Sequence, residues 1–210
     1  MLFFMNPIRK HRCALVLFAF LSCAGAPGFA AGAPGGGIRL SEVLYDSRGR
    51  GQLEYLELHN SGSEPVDLLG WSFVDGIRHS FDRSAVIAPQ GFLVVARRSS
   101  EVEGFFALPP GSTAGDFEGG LDADGERIEL ADAEGRTVEE LTYRDGFPFR
   151  GLEPGIEIGP GTVFSLQRLC FEVPAGAPFN WRPAAPTPGA AAETLGCPPA
   201  PPAPRPTSTR

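Results

Sequence analysis

The sequence predicts an all-β protein in which short antiparallel strands form a sandwich or a barrel. From Ile38 onward, apolar residues recur with a period of two rather than 3.6, and no window has the spacing of a helix. Glycine, proline, asparagine and aspartate separate these segments, as expected for turns between strands. Hydrophobic residues make up 42% and charged residues 20% of the chain, which excludes a disordered protein of low hydrophobicity and high charge. We expect one core with about seven strands.

Apolar residues two positions apart mark the individual strands. These sets are Ile38, Leu40 and Leu44; Leu56 and Leu58; Trp71 and Phe73; Phe92, Val94 and Ala96; Ile128 and Leu130. The last set leads into Asp132–Gly135, which has the composition of a type I turn closed by a glycine with positive φ. Thr137–Tyr143 is then the returning strand, and Val163–Arg168 supplies another. Residues 183–210 are rich in proline and are predicted to form, for the most part, an extended linker.

The first 30 residues have the three-part pattern of a secretory signal peptide, with cleavage after Ala30. Basic residues at 9, 10 and 12 precede a short apolar run at 13–23, and small residues follow it. A membrane-spanning helix is the first alternative, but it needs about 20 apolar residues, roughly twice this run. The second alternative is a lipoprotein signal at Cys23, where Phe20 stands in the position usually held by leucine. The mature chain is therefore expected to be secreted or periplasmic.

The charge balance argues against a nucleic-acid partner. The net charge is −7, and it becomes −10 once the three basic residues of the predicted signal peptide are removed. Lys10 is the only lysine of the chain. A surface that follows a phosphate backbone needs clustered basic residues, and Arg97-Arg98 is only a small basic spot. Binding to nucleic acid is not expected.

Cys170 and Cys197 are the only cysteines beyond the signal peptide. In an oxidising compartment such a pair usually forms a disulfide, and closing a loop of this length stabilises the fold by about 3–4 kcal/mol. The alternatives are two unrelated thiols or a zinc site. Zinc needs three or four ligands, and nothing in the sequence places His59 or His79 near either cysteine. The sequence favours the disulfide.

Several segments, taken in order, resemble the lamin tail domain as found in secreted bacterial proteins. They are Ile38–Asp46, Glu54–Gly62, Val66–Phe73, Ala88–Val95, Ile128–Val138, Ser165–Arg168, Asn180–Arg182 and Pro186–Gly189. The resemblance implies an immunoglobulin-like antiparallel β-sandwich with no recognised catalytic residues. In nuclear lamins this domain is a docking surface for proteins and chromatin. In bacteria it occurs in exported proteins, sometimes beside hydrolase domains.

The resemblance divides the chain into four parts. They are a signal peptide at 1–30, a glycine-rich linker at 31–37, a lamin-tail-like domain at 38–189 and a proline-rich tail at 190–210. One segment departs from the family. The stretch Asp116–Glu126 is longer and more acidic than is usual before the late hairpin, so the loop at that end of the sandwich is expected to differ.

The sequence has few groups that could perform catalysis. His59 ends a strand and His79 lies in a turn region, and no serine stands in a nucleophile-elbow pattern. Alternation places Glu42 on the face of Ile38, Leu40 and Leu44, and it places Glu54 on the face of Leu56 and Leu58. A buried carboxylate is costly unless it is paired or hydrogen-bonded. Both glutamates are interpreted as structural, with an acid/base pair as the alternative.

The acidic segment suggests a calcium site. It contains Asp116, Glu118, Asp122, Asp124 and Glu126, and calcium takes six to eight oxygen ligands. The alternation resembles part of an EF-hand loop but lacks its length and its closing glutamate. A solvated acidic turn is the simpler interpretation, so no cofactor is expected apart from this calcium hypothesis.

Two aromatic pairs lie in glycine- and proline-rich connections: Phe105 and Phe106, and Phe147 and Phe149. Such rings either fold back onto the core or are presented to a partner. If they are presented, they would anchor a protein or a carbohydrate at the cell surface. The sequence thus predicts a monomeric, exported, non-catalytic binding or structural module. The alternative is an accessory to an extracellular hydrolase, or a weak hydrolase that uses Glu42 and Glu54.

Overall fold

The computed structural model describes residues 37–45, 47, 49–144, 163–192 and 196–197. Strands dominate these residues. They are β1 (Ile38–Leu44), β2 (Tyr55–Asn60), β3 (Val66–Asp67), β4 (Ser72–Asp75), β5 (Ile77–Ser80), β6 (Val86–Ile87), β7 (Phe92–Ala96), β8 (Thr113–Asp116), β9 (Glu118–Gly119), β10 (Gly125–Ala131), β11 (Thr137–Arg144), β12 (Ser165–Arg168) and β13 (Trp181–Ala184). These strands are more numerous than the sequence predicts, and several of the additional ones have only two residues.

Two sheets form a sandwich, which confirms the predicted all-β, immunoglobulin-like fold. The first sheet has the order β13-β12-β1-β2-β7-β8, and the second has the order β11-β10-β4-β5-β9. Neighbouring strands are antiparallel, except that β8 runs parallel to β7. A third, two-stranded sheet joins β3 to β6. Long antiparallel ladders of this kind are typical of β-sandwiches.

The predicted hairpin between β10 and β11 is present. Its turn is closed by a hydrogen bond from the Gly135 amide to the Asp132 carbonyl, and Gly135 has φ of 75°. The Asp132 carboxylate accepts hydrogen bonds from the amides of Glu134 and Arg136. A residue with a side chain would be strained at this φ, which explains the glycine.

The first sheet is covered on both faces. Its inner face packs against the second sheet through a large apolar cluster that includes Leu40, Val43 and Leu56. Its outer face carries a smaller cluster that includes Leu44 and Tyr55. Between Leu40 and Glu42 the pairing of β1 with β2 shifts by one residue at a β-bulge. The bulge reverses the alternation of the side chains. Glu42 therefore shares a face with Leu44, as predicted, but not with Leu40, which lies on the opposite face.

The structure contains a helix that the strand pattern does not predict. This helix, α1 (Ser99–Phe106), begins soon after β7 and buries Val102 in the outer cluster. It ends at Ala107, which adopts the left-handed conformation at φ of 54°. Gly104 interrupts an eight-residue segment with only one fully buried side chain, so the segment has no clear helical period.

The first two residues of the proline-rich segment 183–210 belong to a strand and not to a linker. Pro183 and Ala184 belong to β13, which pairs with β12. The residues that follow, 185–192, are called the C-terminal strap below, since Thr187 and Gly189 donate backbone hydrogen bonds to buried glutamates of β1 and β2. The predicted signal peptide, the linker before Gly37, Phe147, Phe149 and the end of the tail (198–210) lie outside the described residues.

Candidate functional site

Two glutamates lie side by side under the C-terminal strap. Glu42 on β1 is the register partner of Glu57 on β2. Each side chain is about 1% exposed. They face the outer side of the first sheet, where the strap covers them. In the described part of the chain, no arginine forms an ion pair with either carboxylate, so hydrogen bonds alone compensate their burial.

Glu42 accepts hydrogen bonds from several donors. The Tyr55 hydroxyl lies 2.6 Å from Glu42 Oε1, and the Ser165 hydroxyl donates to the same oxygen. From the strap, the Thr187 amide lies 3.1 Å from Oε1 and the Thr187 hydroxyl lies 3.2 Å from Oε2. Burial, and then the charge of Glu42, hold the pKa of Tyr55 well above its usual value. Tyr55 therefore stays protonated and acts as a permanent donor.

Glu57 has fewer donors than Glu42. The Gly189 amide lies 2.6 Å from Glu57 Oε2. Ser41 Oγ lies 2.7 Å from Glu57 Oε1 and 3.1 Å from the main-chain carbonyl oxygen of Glu57. Burial, followed by the charge of Glu42, holds the pKa of Glu57 well above its usual value. A protonated Glu57 can donate to Ser41 Oγ while Ser41 donates to the carbonyl, so every group in this arrangement has a partner.

Glu54 forms a different kind of buried site. Its Oε1 lies 2.9 Å from Arg97 Nη1, and its Oε2 accepts a hydrogen bond of 2.8 Å from the Leu121 amide. Arg97 passes between two glycines, since a Cβ at Gly51 or Gly120 would lie 2.8 or 2.9 Å from its Nη1. Burial raises the pKa of Glu54, although Arg97 and the Leu121 amide partly offset the effect.

The structure does not bring Glu42 and Glu54 together as an acid/base pair. Glu54 reaches Leu121, which belongs to the inner cluster, whereas Glu42 lies beneath the strap on the outer face. The adjacent pair is Glu42 with Glu57, and strand alternation misses it because it assigns Glu57 to an open face. Only a contact across the chain identifies the pair. The strap, which lies more than a hundred residues after Glu57, shields the face on which Glu57 stands.

Both histidines are tied to the backbone. His59 Nδ1 lies 3.1 Å from the Gly91 carbonyl, and its ring stacks on Phe92 with the centroids 4.4 Å apart. His79 Nδ1 lies 3.1 Å from the Asp116 carbonyl, beside a groove of about 770 Å³. Burial lowers the pKa of each imidazole. Among the described residues, neither ring is bonded to a serine hydroxyl, so no Ser-His pair is formed there.

The five acidic residues of the calcium hypothesis are divided between two places. Asp116 accepts a 2.7 Å hydrogen bond from the Ser99 amide, and Glu118 lies 3.4 Å from Arg78. Asp122 and Asp124 lie in the turn before β10, and Glu126 lies at the start of that strand. Asp122 accepts a hydrogen bond from the Asp124 amide, and Glu126 accepts one from the Asp122 amide. In the described part of the chain they do not converge on one point. Calcium binding stays a prediction.

The aromatic pair of α1 splits between core and surface. Phe106 packs edge-on against Tyr55 in the outer cluster, with the centroids 5.8 Å apart. Phe105 is 43% exposed and borders a cavity of about 310 Å³. The Arg50 guanidinium lies over the Phe105 ring at 5.3 Å from its centroid. Phe106 is therefore half-buried against the core, and Phe105 is the more exposed ring, which a partner could reach.

The structure contains the predicted disulfide between Cys170 and Cys197. A carboxylate that the sequence does not single out lies against it. Glu172 Oε2 is 2.9 Å from Cys170 Sγ and 3.2 Å from Cys197 Sγ. These residues border a cavity of about 360 Å³ whose wall also includes Glu42 and Glu57. Only the fold reveals this neighbour, since an exposed glutamate two positions from a cysteine has no distinguishing pattern.

The Lamin Tail Domain family model matches residues 31–145, more than half of the chain. No curated protein matches the sequence at a significant level. In the part of the chain that the structure describes, no helix has the length and hydropathy that a membrane crossing requires. The match covers β1 to β11, which includes Glu42, Glu54, Glu57 and Phe105.

Proposed function

The chain belongs to the lamin tail domain family, and we propose that it works outside the cytoplasm as a binding module of the secreted bacterial type. The family is non-catalytic and supplies structural or binding domains. The proposal adds where the module acts and which surface meets a partner. The exposure of Phe105, next to a Phe106 that is half-buried against the outer cluster, is the observation that supports the proposal.

The buried carboxylates support a role without catalysis. A catalytic acid or base must lie within hydrogen-bond reach of a substrate. Glu42 and Glu57 are instead covered by the strap and bonded to residues of the fold. Glu54 is held by Arg97 and Leu121. A substrate would have to displace these contacts before any proton could move. Their arrangement therefore fits a role in holding the strap and the loops in place.

The surface around Phe105 has the character of a binding site. The ring supplies apolar area, while Arg50, Gln52 and Glu101 around the same cavity supply donors and acceptors. An exposed aromatic ring with polar neighbours is typical of residues that anchor a partner. The partner is a protein or a carbohydrate of the cell surface or the extracellular space.

The leader pattern supports export. A signal peptide at 1–30 would leave a mature chain that begins at residue 31, which is also where the family match begins. The disulfide agrees with an oxidising compartment. Retention as a lipoprotein at Cys23 is the alternative, and the intact mass of the exported protein distinguishes the two. A start at Ala31 without acyl mass supports free secretion, whereas an acylated Cys23 places the module on a membrane.

The binding surface can be tested with Phe105→Ala and a matched control. Phe179 is also 43% exposed but lies in the 3₁₀ turn Pro178–Asn180 before β13, so Phe179→Ala removes an equal ring elsewhere. Immobilised protein would be exposed to culture-medium proteins and to cell-wall polysaccharide, and the bound material measured. We expect Phe105→Ala to lose most binding and Phe179→Ala to retain it. Equal binding by both variants would contradict the assignment of the surface.

A further inference from the structure

We propose that the protein has a second, metal-bound form in which Cys170, Cys197 and Glu172 hold a zinc ion once the disulfide is reduced. This site goes beyond the proposed binding function and does not depend on it. The sequence alone offers no third zinc ligand near the two cysteines, whereas the fold places Glu172 beside them. In the described part of the chain, these three residues are the one group of His, Cys, Asp or Glu side chains whose ligand atoms lie within 4.8 Å of one another.

In the disulfide form, hydrogen bonding does not explain the contact of Glu172 with the sulfurs, although the charge of Arg168 also attracts this exposed carboxylate. Its Oε2 lies 2.9 Å from Cys170 Sγ and 3.2 Å from Cys197 Sγ, yet sulfurs joined in a disulfide carry no proton to donate. Within the described residues, no arginine lies in ion-pair distance of this carboxylate. An anionic oxygen that converges with two sulfurs matches a set of ligands around a cation.

The donor types suit zinc. Thiolates bind zinc at about 2.3 Å and carboxylate oxygens at about 2.0–2.2 Å, in tetrahedral geometry. Three protein ligands leave the fourth position to water, and the adjoining cavity of about 360 Å³ has room for it. Calcium and magnesium prefer oxygen ligands, so two thiolates select a softer ion.

The chemistry needs a reductant and then releases protons. A phosphine reductant cleaves the S–S bond, is oxidised to the phosphine oxide with oxygen from one water molecule, and leaves two thiols. Zn²⁺ then displaces one proton from each thiol and forms two Zn–S bonds, while the carboxylate binds without losing a proton. A dithiol would serve as reductant in a cell, since it closes to its own disulfide.

The metal would replace the disulfide as the link that closes the strap. Both forms join residue 170 to residue 197, and the strap between them carries Thr187 and Gly189 to Glu42 and Glu57. Reduction without metal would release this loop, and zinc would close it again. The strap could thus stay over the buried glutamates in either redox state.

The test uses the full chain with Cys13→Ser and Cys23→Ser, so that Cys170 and Cys197 are the only thiols. The protein is reduced with a phosphine, which avoids a metal-binding dithiol, and is titrated with Zn²⁺ against a chromophoric chelator. We expect one zinc per chain, release of about two protons and a higher melting temperature with zinc. Titration with Co²⁺ should show thiolate-to-metal absorption.

Two variants determine whether Glu172 is a ligand. We expect Glu172→Gln to weaken zinc binding at least about tenfold, whereas Glu64→Gln, at another exposed position, should leave it unchanged. The oxidised protein should bind no zinc at this site. Equal affinity in Glu172→Gln and its parent, or no more zinc than a variant with serine at both 170 and 197, would overturn the proposal.

Discussion

The chain buries carboxylates in two different ways, one on each side of the first sheet. Glu54 has a cation, Arg97, at 2.9 Å. Glu42 and Glu57 have only hydroxyls and backbone amides among the described residues. Both arrangements satisfy the oxygens, but only the first offsets the charge directly. A cation stabilises an ionised carboxylate directly, whereas neutral donors leave more of the desolvation cost uncompensated. The two sites should therefore respond differently to substitution and to pH.

The second arrangement links distant parts of the chain. Glu42 joins β1 to β2, β12 and the strap, across 145 positions in the case of Thr187. Glu54, which precedes β2, joins the start of this strand to Arg97 and Leu121. Loss of the first network therefore detaches the C-terminal part of the domain, whereas loss of the second affects loops at one end. We expect the two sites to differ in the size of a mutation's effect and in its dependence on pH.

The largest effect is expected for Glu42→Ala. The substitution leaves the Tyr55 and Ser165 hydroxyls and the Thr187 amide without their acceptor in a buried site. Each unsatisfied buried donor costs about 1–3 kcal/mol, so we expect a loss of about 3–5 kcal/mol in the free energy of unfolding at pH 7. Chemical denaturation monitored by circular dichroism measures it. Glu64→Ala at an exposed position is the control, and a similar small loss in both variants would contradict the role of Glu42.

Replacement of Arg97 tests the cation at the other site. Arg97→Met keeps much of the side-chain length but leaves Glu54 buried without its partner. Since the Arg97 side chain is 35% exposed, we expect a moderate loss of about 1–3 kcal/mol at pH 7. Burial raises the pKa of Glu54 even beside Arg97, and loss of the cation raises it further. The stability of the variant is then closest to that of the parent near pH 4.5. As pH rises, Glu54 ionises more readily in the unfolded chain than in the folded variant, so the loss in the free energy of unfolding grows.

Unfolding curves of Arg97→Met and the parent protein between pH 4.5 and 7.5 test this dependence. Arg98→Met is a suitable control, because Arg98 is more exposed and its pair with Asp116 is longer, at 3.4 Å. A deficit that stays constant across the pH range would mean that Arg97 acts through packing between Gly51 and Gly120 rather than through its charge.

Much of the fold could be predicted from local pattern, because a β-sandwich follows period-two alternation and turn chemistry. The hairpin at Asp132–Gly135 and the strand Ser165–Arg168 are examples. The helix Ser99–Phe106 could not, because eight residues with a central Gly104 lack a helical period. The place of Pro183 in β13 could not be predicted either. A proline is tolerated on an edge strand because no amide donor is needed on its open side, but in the sequence it indicates a linker.

Of the buried and clustered glutamates, only those with a local pattern could be predicted from the sequence. Glu42 and Glu54 stand out in the sequence because alternation places each of these charged residues on an apolar face. Glu57 and Glu172 gain their importance from residues far away in the chain, Gly189 and Cys197 respectively. A single sequence carries no record of such contacts, so alternation assigns Glu57 to solvent. The bulge after Leu40 also moves Glu42 to the outer face, and an inserted residue of this kind leaves no local signature.

The effect that is smallest near pH 5, and that is stabilising at higher pH, is expected for Glu57→Gln. Burial and the charge of Glu42 hold the pKa of Glu57 well above 4.5, so folding retains a proton that the unfolded chain loses as pH rises. The contribution of the protonated Glu57 to stability is complete below the pKa that Glu57 has in the unfolded chain. It declines by up to about 1.4 kcal/mol per pH unit until pH reaches the pKa of Glu57 in the folded protein. Glutamine has the hydrogen-bonding pattern of a protonated glutamate: its amide can donate to Ser41 Oγ while its oxygen accepts from Gly189.

We therefore expect Glu57→Gln to lie within about 1 kcal/mol of the parent near pH 5 and to become the more stable protein as pH rises towards 8. Melting temperatures of both proteins across this range measure the difference, with Glu64→Gln as the control that should follow the parent at every pH. If Glu57→Gln is less stable throughout and its curve runs parallel to the parent's, then Glu57 is ionised in the fold. Its hydrogen bonds from Ser41 and Gly189 would then outweigh burial, and the two carboxylate sites would differ less than their partners suggest.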